Sequence, residues 1–155
     1  MILKLLFAAL IAVPAACQPA PTPVTLEHSA AGLDQLPLTI VSGGKTHRFT
    51  VEVARSFEQQ QTGMMNRNSL APDRGMIFPY DPPQPVAFWM QNTLIPLDMI
   101  FIAPGGKILR IEANAVPLSL DQLPSGGPIE AVLELAGGRA AELGLQPGDQ
   151  VDWTR

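Results

Sequence analysis

The sequence predicts a mostly β domain, a β-sandwich or a small barrel-like domain, with two short helices. Three observations lead there. Sixteen Pro and 13 Gly punctuate 155 residues, too often for long helices and in keeping with short strands and turns. Apolar residues make up 46% of the chain and charged residues only 15%, so a core can form and a disordered polymer is excluded. Turn signals also separate short apolar runs at close spacing, as they do in sandwiches and barrels. The length suits one domain and leaves no comfortable room for a second.

The N-terminus reads as an address. Met1 to Ala16 carries one basic residue, Lys4, then an apolar run from Leu5 to Val13 and the small pair Ala15–Ala16, the layout of a secretory signal. The run is too short to span a bilayer, which needs roughly 20 residues. Small residues directly before Cys17, the only Cys, resemble a bacterial lipoprotein cleavage site, at which the thiol is acylated and becomes the new N-terminus. Pro14 stands where such sites usually carry Leu. The alternative is ordinary signal cleavage nearby, leaving a free thiol in an oxidising compartment. Neither allows an internal disulfide. Residues 17–35, with Pro19, Pro21 and Pro23 and no clear period, read as a tether in which His28 is a bystander. The β-rich domain is expected over 36–155. The chain is therefore expected to be exported, to the periplasm or to the cell-envelope membrane, touching lipid only through the anchor. Its formal charge is −4, and without Lys4 there are 9 basic against 14 acidic residues, or −5. That balance argues against nucleic acid and against electrostatic docking on anionic lipid.

Within the domain, Leu38–Val41, Gly43–Gly44 and Thr46–Val53 form a hairpin pattern with a two-residue turn. His47, Phe49, Val51 and Val53 alternate onto one face, which should meet the core. Ser56 with Gln59 fits a capping box and Gly63 a helix stop, so a helix of about two turns lies between them. Strands are expected at Gly75–Phe78, Val86–Met90, Leu97–Ala103, Lys107–Ala113 and Ile129–Leu135, with a turn at Pro104–Gly106. Val116 to Pro128 is a longer loop. Gly137 to Leu145 suggests a short helix, Pro147–Asp149 a turn, and Val151–Trp153 a closing strand.

Several of these stretches together resemble the bacterial and archaeal family known as domain of unknown function 192. They are FTVEVA at Phe49–Ala54, GMMNR at Gly63–Arg67, GMIF at Gly75–Phe78, FWMQNTLIPLD at Phe88–Asp98, Phe101–Ile102, and VLELAG from Val132 to Gly137. The resemblance spans nearly the whole domain, is most specific at Phe88–Asp98 and is weakest over Ala115–Pro128. It implies a β-sandwich-like fold, often exported, and no established activity. Met64 stands where the family more often carries Leu, a volume-conserving change.

The residues themselves leave two readings of Phe88–Asp98. In one, Asn92 and Asp98 bond backbone amides at a turn between strands. In the other, Trp89 is a stacking platform with Asn92 and Asp98 as polar contacts, an arrangement suited to a sugar or other small polar ligand. Arg67, in a polar loop after the helix stop, could clamp an anionic ligand bidentately or pair internally with Asp98 or Glu134. Glu134 shares a strand face with Val132 and Glu130 and reads as solvated. Met64, Met65, Met76, Met90 and Met99 could as thioethers hold copper(I), but they sit among apolar residues and read as core filler. His47 reads as a core histidine, and two His with one Cys are too few for zinc. No metal or cofactor is expected. No G-x-S-x-G, phosphate-binding Gly loop or H-E-x-x-H occurs.

The expected function is a non-catalytic envelope domain binding a small polar ligand or glycan through Arg67, Trp89, Asn92 and Asp98. One alternative is a cell-envelope hydrolase using Asp98 as acid or base. Another is a structural or adaptor domain that binds an envelope protein along a sheet edge.

Overall fold

A computed structural model describes residue 29 and residues 31–154 of the chain. The signal segment 1–16, Cys17 and His28 lie outside the described residues. The hairpin forms as its Gly-Gly turn predicts. Strand β1 (Gln35–Ser42) pairs antiparallel with β2 (Lys45–Val53), with Leu38 opposite Phe49. Phe49, Val51 and Val53 are buried. Helix α1 (Phe57–Thr62) starts at the predicted capping box. The Ser56 hydroxyl accepts from the Gln59 amide, and the Gln59 side chain accepts from the Ser56 amide at 2.9 Å. Gly63 ends it at φ 44°, where an added Cβ would lie 3.3 Å from the Phe78 ring; only glycine takes that conformation without strain.

The remaining elements are β3 (Arg74–Gln84), β4 (Ala87–Phe88), β5 (Leu97–Ala103), β6 (Lys107–Ala115), β7 (Leu123–Pro124), β8 (Ile129–Ala136), α2 (Arg139–Leu143) and β9 (Gln150–Trp153). Seven strands close into a barrel in the order β1-β2-β3-β8-β5-β6-β9, with β2–β3 parallel and the other neighbours antiparallel. The barrel is thus the correct half of the predicted pair, and the sandwich is not formed. The reason lies in β9, which bonds both β1 and β6 and so joins the ends of one sheet. The strand expected over Val86–Met90 shrinks to Ala87–Phe88. It pairs with Leu123–Pro124 from the loop where no strand was expected, making a separate two-stranded sheet.

Alternation along the strands gives the barrel wall two buried faces. Inside the ring, Leu38, Ile40, Val51, Ile77, Ile100, Ile102, Leu133 and Leu135 form one core. Outside it, Met64, Met76, Phe78, Met90, Met99, Phe101 and Val132 form a second, covered by Leu70, Val86, Phe88, Ile95 and Leu123. Gly75 lets β3 and β8 approach, since an added Cβ would sit 2.6 Å from the Glu134 carbonyl oxygen. Strand β8 is consequently buried on both sides. That is why Glu134, at 4% exposure, is not solvated as its place in the alternation suggested.

Candidate functional site

Glu134 occupies the outer face of β8, in register with Met76 on one side and Met99 on the other. Its Oε2 is buried with no hydrogen-bond partner. Burial pushes its carboxyl up to about 8, and the nearby Arg67 charge pulls the other way without cancelling this. A cavity of about 120 Å³ opens beside it. Its wall is built from α1 and the chain after it (Gln60 to Met65), from Phe78 and Tyr80 of β3, and from Phe88, Trp89, Gln91 and Thr93. Burial first, and the Glu134 charge second, push the Tyr80 phenol up to about 12, so Tyr80 stays a neutral hydroxyl at any physiological pH. Phe88 meets Phe78 edge-on with centroids 5.1 Å apart, which holds the aromatic wall in place. Trp89 is 42% exposed at the mouth.

The four predicted site residues separate. Trp89 lines the cavity. Arg67 does not; its guanidinium pairs with Glu52 at 2.5 Å, on β2, rather than with Asp98 or Glu134 as expected. Arg67 reaches the site only through its charge and borders a different hollow with Glu52, Ser69 and Arg74. Asn92 is a turn residue at φ 54°, and its carbonyl accepts from the Asn66 amide at 2.9 Å. It thus joins the chain after α1 to the turn that carries Trp89.

Asp98 lies on the other face of the wall. It is fully buried, in register with Leu135. Oδ1 accepts from the Asn114 amide at 2.8 Å and the Gly138 amide at 3.0 Å, and Oδ2 accepts from the Ala140 amide at 2.7 Å. Gly138 offers no capping side chain, so Asp98 satisfies the first amides of α2 across the chain. The carboxylate is fully buried, and its work is to join β5, β6 and α2.

Glu134, Tyr80 and Phe78 are cavity-lining residues that sequence reasoning did not place in a site, whereas the aromatic pair Phe88–Trp89 reads from the sequence as core or pocket wall. One signal was available: Glu134 stands in a run, IEAVLELA, too apolar on both alternating faces for a half-solvated strand.

Beside the cavity mouth lies an apolar rim. Leu94, Val116, Leu118 and Leu120 are exposed together with Trp89. Two backbone bonds bring their loops together, from the Met90 amide to the Ser119 carbonyl and from the Leu118 amide to the Thr93 carbonyl. No charged residue occurs in 82–97 or 113–120.

The family model DUF192, described as "Uncharacterized ACR", matches residues 38–153. No curated protein matches the chain. A crystal structure of a protein of unknown function from Novosphingobium aromaticivorans DSM 12444 is similar at 44% identity and TM-score 0.78, covering 89% of this chain and 94% of that one. A second, from Sinorhizobium meliloti 1021 and provisionally described as a transcription regulator, is similar at 41% identity and TM-score 0.76, covering 78% and 95%.

Proposed function

The chain belongs to the DUF192 family, which carries no assigned activity, and from its cavity we propose that it is a non-catalytic binder of a small polar ligand or the end group of a glycan. The observation that carries this is the unpartnered Glu134 Oε2 beside a cavity that Tyr80 and Trp89 also line. A buried carboxyl without a partner costs stability, and a ligand group that bonded it would remove the cost. Tyr80 adds a neutral donor, and Trp89 an apolar face for a ring to stack on. The volume limits what enters: a dry cavity of about 150 Å³ holds a benzene ring, so this one takes a head group or one ring end and leaves a longer molecule outside.

A hydrolase using Asp98 needs that carboxylate to reach water and substrate, and three backbone amides hold it away from both. The transcription-regulator description of the Sinorhizobium relative would suggest nucleic acid, which a chain of net charge −4 is poorly made to hold. The apolar rim favours a second reading, a surface for another envelope protein. Its sheet-edge version loses ground, because closure of the ring leaves the seven-stranded sheet without a free edge among the described residues.

We propose also that the chain is exported and held in the envelope by a lipid on Cys17, on the layout of residues 1–17. Mass spectrometry of the mature N-terminus checks this: an acylated Cys17 supports the anchor, and a free thiol refutes it. For the binding itself, Trp fluorescence is titrated with a panel of monosaccharides and small amines. A saturable change that Trp89→Ala abolishes while the melting temperature holds supports the binder. No saturable change with any member of the panel sinks it.

A further inference from the structure

Building on the binding function proposed above, we infer that the cavity between Glu134, Tyr80, Phe88 and Trp89 selects an alkylammonium head group, with the Glu134 carboxylate as its counter-ion and the aromatic rings as its walls. Three independent features of the molecule converge on a cation. The first is the acid itself. Glu134 is buried at 4% exposure and its Oε2 has no partner. The second is the pairing of the charges nearest it in the register and in the field. Arg67, the cation whose field reaches Glu134, is bonded to Glu52. Across Met99 in the register, Glu112 is paired with Arg110. Tyr80 holds its proton and adds no charge. Arg67 and Arg110 are thus each committed to another acid, and Glu134 is left with no cation bonded to it.

The third feature is the wall. Phe78, Tyr80, Phe88 and Trp89 all line the cavity. Aromatic faces attract a cation through the ring quadrupole, and sites for quaternary ammonium groups are built this way. A cage of rings with one carboxylate at its base separates an ammonium from a neutral group of the same shape. The carboxylate gains a counter-ion, and the rings give back part of the hydration that the cation loses. A bare inorganic cation gains little here, because the cavity supplies one carboxylate, the Tyr80 hydroxyl and a few amide and hydroxyl side chains rather than the six or more oxygens that calcium prefers. Once ionised, as it is at pH 9, Glu134 also repels an anion.

The same head group could arrive free in solution or on a lipid, and the uncharged rim of Leu94, Val116, Leu118 and Leu120 lies beside the mouth in either case.

The test uses the full chain and two probes of one shape. Choline carries a quaternary ammonium; 3,3-dimethyl-1-butanol is its neutral carbon isostere. Calorimetry at pH 9 is expected to show choline binding about tenfold or more tighter than the alcohol, a difference of about 1.4 kcal/mol. Glu134→Gln is expected to erase that preference. The unmutated chain gives an independent reading that no folding defect can blur: its affinity for choline rises, and its affinity for the alcohol does not, as the pH passes from 6 to 9 and Glu134 ionises. Equal affinity for the two probes, or a choline affinity independent of pH, overturns the ammonium assignment while leaving a binder in place. If neither these probes nor any monosaccharide binds, the binding function falls with it. Flotation of the chain with phosphatidylcholine vesicles in excess over phosphatidylglycerol vesicles names a lipid as the source. Choline binding without that difference names a free cation.

Discussion

Strands β5 and β8 each place a carboxylate in the barrel wall, and the two acids fare differently although they are near neighbours in the register. Asp98 lies opposite Leu135, on the face that looks into the ring, and is saturated by three backbone amides. Glu134, one position from Leu135, looks outward between Met76 and Met99 and has an oxygen with no partner at all. Their surroundings differ in the same sense. The inner core is built from Leu, Ile and Val, whose branched side chains fix shape. The outer core is built around Met and Phe, which adapt to irregular space. One side of the wall therefore specifies the fold, and the other keeps a polar group and a cavity available.

The sharpest way to break this comparison is at Asp98. Asp98→Ala leaves three amides facing an apolar interior, and we expect a loss of about 3–5 kcal/mol in urea unfolding. A loss below about 1 kcal/mol would show that the inner acid is as dispensable as the outer one. Next come the two cores. Leu133→Ala should cost about 3–4 kcal/mol, whereas Met99→Ala, beside a more adaptable packing, should cost about 2 kcal/mol. The reverse order would mean that the outer core is the rigid one.

Glu134→Gln should act on pH dependence more than on stability at any one pH. In the folded chain the carboxyl keeps its proton up to about 8, while the unfolded chain releases it near 4.5. The native state binds the extra proton between these values, so stability falls as the pH rises from about 4.5 to about 8 and is flat beyond. The Gln variant should lose this slope, gaining stability relative to the unmutated chain as the pH rises from about 4.5 to about 8, with no difference in slope outside that window. Parallel stability curves for the two chains would show that Glu134 is not buried as an acid. The smallest effect on folding is expected at Trp89. Exposed at 42%, it should change stability by under about 0.5 kcal/mol when replaced by Ala, while ligand-induced fluorescence change disappears. A large loss of stability would make it a packing residue.

The elements that a short stretch of sequence determines were legible in it. The Gly43–Gly44 hairpin, the Ser56–Gln59 capping box and the Gly63 stop form as their residues predict, because each depends on backbone geometry within a few positions. Closure of the barrel was legible only as one of two options, since it depends on β9 meeting both β1 and β6. Site residues followed the same rule. Trp89, read from its motif as a stacking platform, does line the cavity. Glu134 was passed over because strand alternation assumes one wet face, and here chain from distant parts of the sequence covers the outside of the wall. Arg67 was expected at a ligand or in a pair with Asp98 or Glu134, and its partner is Glu52, fifteen residues away on β2, which only the folded register brings near.

Closure by β9 bears on the order in which the molecule is made. Leu38 pairs with Trp153 and Ile40 with Val151, contacts between nearly opposite ends of the domain, and such distant pairings slow folding. During synthesis, β1 emerges long before its neighbour exists. Until β9 follows, both β1 and β6 carry open edges on which strands of other chains can pair. The last strand of the barrel to be synthesised is thus the one that covers both open edges, and a chain cut short before Gln150 would keep them exposed for as long as it lasts.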